Sequence, residues 1–294
     1  MSTAANCEPQ RTTGTGFSPW LAIALALAVC GCALLGGNAL ASALLVMPSS
    51  VDVATAIARR TVFYLFLFAP LYAFALIANS AFDQPPMPSR RSSSLVIGLF
   101  LGSGTGAAAF ALALVLAFFA GVVRPGTVTA GANIAGILFA TILTVWQAGA
   151  EECLFRGWLQ PLLTRAWGAF PAIAVTGLAF AAAHLFLQLP SGLAIFNTFL
   201  AGCVFGAIAY LTGRVSSAIA AHATWNWLEQ SVTGLTPNPG VDALTSFFDL
   251  DLAGPKLIAG AEDGLTGSVA TTLLLAVVFA GLSAAIYGRE ARNH

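Results

Sequence analysis

Apolar residues come along this chain in long runs broken by short polar clusters. They show neither the strict alternation of a half-buried strand nor the narrow stripe of a surface helix. A helix that crosses a bilayer needs about 20 predominantly apolar residues. Stretches near 18–47, 61–79, 95–123, 132–156, 170–189, 193–212, 215–233 and 268–287 meet or approach that length. The pattern predicts an all-α, polytopic transmembrane helix bundle of about eight spans. A short tail covers 1–17, and a single membrane-embedded domain covers 18–294 without internal repeats. The first run reaches from 18 to 47, well beyond the roughly 7–15 residues of a signal-peptide core, so it reads as an anchor.

The punctuation between runs is ordinary loop chemistry. Gln84-Pro85-Pro86-Met87-Pro88 followed by Ser89-Arg90-Arg91 makes one polar loop. Thr236-Pro237-Asn238-Pro239-Gly240 opens the longest, which carries Asp242, Asp249, Asp251, Glu262 and Asp263 against Lys256. A tight turn is expected at Trp167-Gly168 and another at Gly213-Arg214. In the third run Gly98, Gly102 and Gly106 recur every fourth position, a spacing that lets helix backbones approach closely in lipid.

Composition agrees with the pattern. The chain is 58% hydrophobic and 8% charged, with a formal net charge of zero. Soluble domains carry about a quarter charged residues, so this chain cannot solvate a globular surface. The balanced charge offers nothing to nucleic acid; the lipid bilayer is the partner implied. Five cysteines, an odd number mostly inside apolar runs, exclude a disulfide framework and read as small core hydrophobes. On alternate sides of the spans, Arg11, Arg90, Arg91, Arg165, Arg214, Arg289 and Arg292 face Arg59, Arg60, Arg124 and Lys256. That excess predicts a multi-pass protein of the cell membrane with both termini in the cytoplasm.

Ionisable side chains within spans are costly and mark function by default. Here they are Glu151, Glu152, Arg156, His184, His222 and Glu229, with Asn226 as a polar neighbour. Glu152 and Arg156 stand at i and i+4 with the acid first, which suits an ion pair. Glu151 is turned about 100° away, free to act as a base. Phe180 lies one turn before His184, where its ring can pack on the imidazole. Glu151 and His184 are nearly equidistant from the turn at Gly168, so a hairpin brings them to one depth, although Pro161 threatens to interrupt its first arm. His222 and Asn226 form another i, i+4 pair. Simple rise places His222 nearer the surface than His184. Glu229 reads as interfacial, and Trp225 and Trp227 as packing or interface anchors.

Three elements in this order, Glu151-Glu152-x-x-x-Arg156, Phe180-x-x-x-His184 and His222-x-x-x-Asn226, resemble the CAAX-processing and bacteriocin-processing family of intramembrane proteases. Glu151-Glu152-Cys153-Leu154-Phe155-Arg156-Gly157 is a close match, and the resemblance covers about 140–230. It implies hydrolysis of peptide bonds in membrane-associated proteins or peptides. By motif position, Glu151 and His184 would activate water, His222 and Asn226 would stabilise the oxyanion, and Glu152 and Arg156 would support the site. The family is customarily labelled a metalloprotease, and Glu151, His184 and His222 also match a His₂Glu zinc set with Glu152 as base. Against zinc, the chain lacks a His-Glu-x-x-His motif, and Asn226 suits oxyanion donation better. The metal-free glutamate mechanism is the preferred reading. Rival functions are a proton-coupled or ion-coupled transporter, which predicts matched halves, and a non-catalytic immunity or scaffold protein.

Overall fold

The computed structural model describes residues 18–44, 53–81, 94–126, 134–186, 190–235 and 246–292. The tail at 1–17, the polar loop at 84–91, the turn at 236–240, Asp242 and Cys7 lie outside the described residues. The architecture is an all-α bundle. It runs α1 (Pro19–Gly31), α2 (Gly37–Leu44), α3 (Val53–Ala81), α4 (Leu95–Phe119), α5 (Ile134–Glu152), α6 (Gln160–Trp167), α7 (Ala169–Ala183), α8 (Gly192–Thr212), α9 (Val215–Trp227), α10 (Lys256–Ala259) and α11 (Val269–Ala291).

Among the described residues, seven helical stretches are long and apolar enough to cross a membrane. They are Pro19–Leu40, Arg60–Ser80, Leu95–Phe119, Ile134–Trp167, Ala169–Phe186, Gly192–Thr212 and Val269–Ala291. The eighth expected stretch is helical too, as α9 continued by a π turn at Leu228–Val232. Ser216, Ser217, His222, Asn226, Glu229 and Gln230 make it the most polar of the set. It lies inside the bundle, where α4, α5 and α8 pack around it.

The span expected to end near 156 does not end there. Ile134–Trp167 runs on as one helical path through a π turn at Cys153–Leu159 and past Pro161. Local π adjustment lets a membrane helix continue through proline, because it gives the ring room and reassigns the freed carbonyl. The turn that does end it is at Gly168, with φ 83°, and the next hairpin turns at Gly213, with φ 68°. Both need the left-handed backbone that glycine adopts without penalty.

Two helix seams position the interior. Along α4, a Cβ on Gly102 would strike the carbonyl oxygen of Ser217, and one on Gly106 the carbonyl oxygen of Ala221. The glycine spacing therefore seats α4 directly on the α9 backbone. Along α8, Gly202 lies against the Gly177 backbone of α7. Phe100, Phe119 and Val277, each more than 70% exposed, face outward from α4 and α11 as a lipid-facing surface. The four described cysteines, Cys30, Cys32, Cys153 and Cys203, are free.

One small departure from all-helix structure lies in the acidic loop. Leu250–Leu252 (β2) pairs antiparallel with Val123–Pro125 (β1), matching Arg124 with Asp251. The segment then makes α10 and a 3₁₀ stretch, Ala261–Gly267, that lies against α8. Two three-residue strands carry too little period-two patterning to stand out from sequence.

Candidate active site

The end of α5 and its π turn carry the densest buried charge in the described residues. Arg156 Nη1 lies 2.9 Å from Glu152 Oε2 and 3.0 Å from Oε1, with both side chains fully buried. Nη2 donates to the carbonyl of Gly202 on α8 at 2.7 Å. The guanidinium also sits 4.6 Å from the Phe180 ring centroid and 5.6 Å from that of Phe205. An isolated charge in this environment would be prohibitive; a carboxylate, a carbonyl and two aromatic faces offset its desolvation. One turn on, Gln160 Nε2 donates to Gly206 O at 2.9 Å, so two side chains four apart clasp two carbonyls four apart.

Glu152 has a second partner that its spacing does not reveal. His222 Nδ1 lies 3.0 Å from Glu152 Oε1 and donates to it, since a carboxylate can only accept. Glu152 thus bridges Arg156 on its own helix to His222 on α9. The His222 ring stacks on Phe205 (4.9 Å between centroids, 13° between planes) and meets Phe180 edge-on. With Nδ1 and both faces held, Nε2 points to Glu151, 3.9 Å from its Oε2.

Glu151 is held differently from its neighbour. Its Oε1 accepts a 3.4 Å bond from Gln147 Nε2, whose Oε1 in turn accepts the Tyr64 hydroxyl at 3.4 Å. Its Oε2 is buried and accepts no hydrogen bond among the described residues. Glu152 is thus paired with a guanidinium 2.9 Å away, whereas Glu151 Oε2 has the His222 imidazole 3.9 Å away.

His184 and Asn226 complete the setting. His184 Nδ1 donates to the carbonyl of Phe180 at 2.9 Å, and the two rings lie 4.8 Å apart. In the neutral ring that donation makes Nε2 the acceptor nitrogen. A cavity of about 120 Å³ is lined by His184, His222, Asn226, Gln147, Phe180 and Phe205, among others. The structure therefore brings both histidines and Asn226 to one chamber. Glu151 approaches His222, whereas among the described residues no hydrogen bond joins it to His184.

His222 is buried and His184 half-buried within the bundle. One expectation needs correction. Glu229 is not interfacial: it is 1% exposed, lines the same cavity, and accepts Trp225 Nε1 at 3.1 Å. Trp225 also packs edge-on against Phe110, and Trp227 donates to Thr141 Oγ1 at 2.8 Å, so both anchor the interior. Gln147, Gln160, Tyr64 and Phe205 were not singled out from sequence. The two glutamines had a signal, being polar residues four before Glu151 and four after Arg156 on a membrane helix.

The zinc set was tested against the donors. Among the described residues, no three of His, Cys, Asp and Glu stand close enough to share a metal ion. Glu152 is committed to Arg156 and His222, and Glu151 Oε2 stands 3.9 Å from His222 Nε2. The residues as placed do not fit a His₂Glu centre, and no step below is routed through metal.

With the geometry in hand, residues 132–228 match the family model described as Rce1-like: Type II CAAX prenyl endopeptidase Rce1-like. The matched segment runs from the start of α5 to the end of α9 and contains every residue of the three motifs. The match covers 97 of the 294 residues and supports a protease, a hydrolase. No curated protein and no solved structure matches the chain.

Proposed function

We propose that this protein is an intramembrane endopeptidase that hydrolyses peptide bonds of membrane-associated proteins or peptides, with Glu151 as its base. The observation that carries this reading is the buried relay Arg156–Glu152–His222–Glu151, with spacings of 2.9, 3.0 and 3.9 Å, whose His222 lines a chamber together with His184 and Asn226. Structural glue has no use for an acid with an open oxygen next to an imidazole whose other nitrogen is pinned.

In the proposed reaction, a water bonded to Glu151 Oε2 gives up a proton to that carboxylate as its oxygen attacks the scissile carbonyl carbon. The carbonyl π electrons move to oxygen. His222 Nε2, when protonated, and the Asn226 amide donate to the oxyanion from one face of α9, and His184 Nε2 borders the chamber from α7. Preorganised donors of this kind contribute roughly 3–4 kcal/mol each to the barrier. As the C–N bond breaks, the proton held by Glu151 passes to the leaving amine. Arg156 keeps Glu152 ionised, and Glu152 keeps His222 oriented; both are positioning residues.

The decisive experiment is cleavage of a quenched peptide in proteoliposomes by purified wild type, Glu151→Gln and His222→Ala. Glu151→Gln is expected to fall by about a thousandfold or more and His222→Ala by roughly a hundredfold. Equal turnover in all three would overturn the assignment, and Glu151-dependent ion flux without cleavage would establish a transporter instead. Chelation and metal analysis belong with it: full activity in metal-free protein is expected, whereas stoichiometric zinc lost together with activity would replace the glutamate mechanism. The arginine asymmetry supports a topology with both termini in the cytoplasm, which labelling of single cysteines added at each end would test.

A further inference from the structure

The chamber has a second end that the hydrolytic chemistry does not use. Glu229 sits seven residues past His222, and the two lie on one side of the same helical path, lining one cavity with Asn226 between them. It is 1% exposed. Trp225 Nε1 donates to Oε2, the Leu265 backbone N–H lies beside the carboxylate, and Oε1 makes no close hydrogen bond among the described residues. Asp263, on the 3₁₀ stretch, lines the same end and accepts the backbone N–H of Ser191 at 3.0 Å. The described residues around the cavity include no lysine and no arginine. A buried carboxylate with an open oxygen beside an indole in an acid-rimmed pocket has the makings of a cation site.

We infer that Glu229 forms a subsite that selects a basic side chain, lysine or arginine, in the peptide substrate. The inference rests on the endopeptidase reading above and adds its substrate class. Seven residues of helix rise about 10 Å, and extended peptide advances about 3.3 Å per residue. The basic residue therefore stands about three positions from the scissile bond. Its charge meets Glu229 Oε1, with Asp263 adding to the local potential and the Trp225 ring to the wall. A neutral side chain there leaves the carboxylate desolvated and unpaired, which is how buried polar groups reject the wrong ligand.

The test uses N-acetylated quenched peptides, so that no α-amine competes, in lipid vesicles with the full-length protein. One lysine is stepped through positions two to four on either side of the scissile bond, and each peptide is paired with a norleucine version. Wild type is expected to favour lysine over norleucine by about tenfold or more in kcat/KM at one position near three. In Glu229→Gln that ratio falls towards one, and in Glu229→Asp it is partly kept. If Glu229→Gln turns over neither peptide, the same ratio is read as binding to Glu151→Gln and to Glu151→Gln/Glu229→Gln. A wild-type ratio near one at every position, or a ratio unchanged by Glu229→Gln, overturns the subsite and leaves the hydrolase standing. No cleavage of any peptide by wild type overturns both.

Discussion

The two seams that fix the chamber are built on opposite principles. On one side, the Arg156 and Gln160 side chains reach from the α5–α6 path to the carbonyls of Gly202 and Gly206 on α8. On the other, α4 closes on α9 at Gly102 and Gly106, whose lack of a side chain lets its backbone lie on the Ser217 and Ala221 carbonyls. The first seam is directional and buried among charges, and the second is a matter of shape. Hydrocarbon gives helices no hydrophobic reason to associate, so packing and hydrogen bonds must do it. The polar seam sets which way Glu152 faces, while the glycine seam sets how far His222 stands from it.

Substitutions should separate the two. Arg156→Ala leaves Glu152 buried without its cation and should cost about 3–5 kcal/mol, the largest effect expected, read as a steep drop in detergent melting temperature. Conservation of the wild-type melt would show that the ion pair is dispensable. Gly106→Leu overpacks the α4–α9 contact at a cost of roughly 1–3 kcal/mol. Its signature is a loss of peptide cleavage larger than the loss of stability, because α9 carries His222. Gln160→Leu removes one neutral bond to Gly206 and exposes no charge; about 1 kcal/mol is expected, with cleavage largely retained. Gly104→Ala, on the same helix between the two contact glycines, meets open space within 4 Å and should change stability by no more than about 0.5 kcal/mol. If Gly104→Ala were as damaging as Gly106→Leu, the glycine seam would not be the contact described.

What could be read from sequence was whatever lives on one helix. Run length gave the spans, and i, i+4 spacing gave the Glu152–Arg156 pair and the Phe180–His184 contact, because helix geometry is nearly invariant. The turns at Gly168 and Gly213 were legible for the same local reason. Contacts between helices were not. The Glu152–His222 bond joins residues 70 apart, and no spacing rule reports on it. The end of the span near 156 was misjudged because the π turn carries the helix through Pro161. Glu229 was misplaced because it sits near the end of its run, yet the described part of the acidic loop packs on that end and helps to bury it.

Asn197 of α8 holds three late parts of the chain at once. Its amide nitrogen donates to Thr266 O at 2.7 Å and to Ser268 O at 3.0 Å, and its oxygen accepts the Thr272 hydroxyl at 2.7 Å. Each partner is translated roughly seventy residues after Asn197 itself, and Thr266 and Asn197 both form chamber wall. A nascent polypeptide that has inserted every helix bearing a motif residue still has a gap where this wall belongs, and a buried amide with nothing to hold. Synthesis through α11 is therefore needed to complete this cavity wall, although that helix supplies none of the groups proposed to do the chemistry.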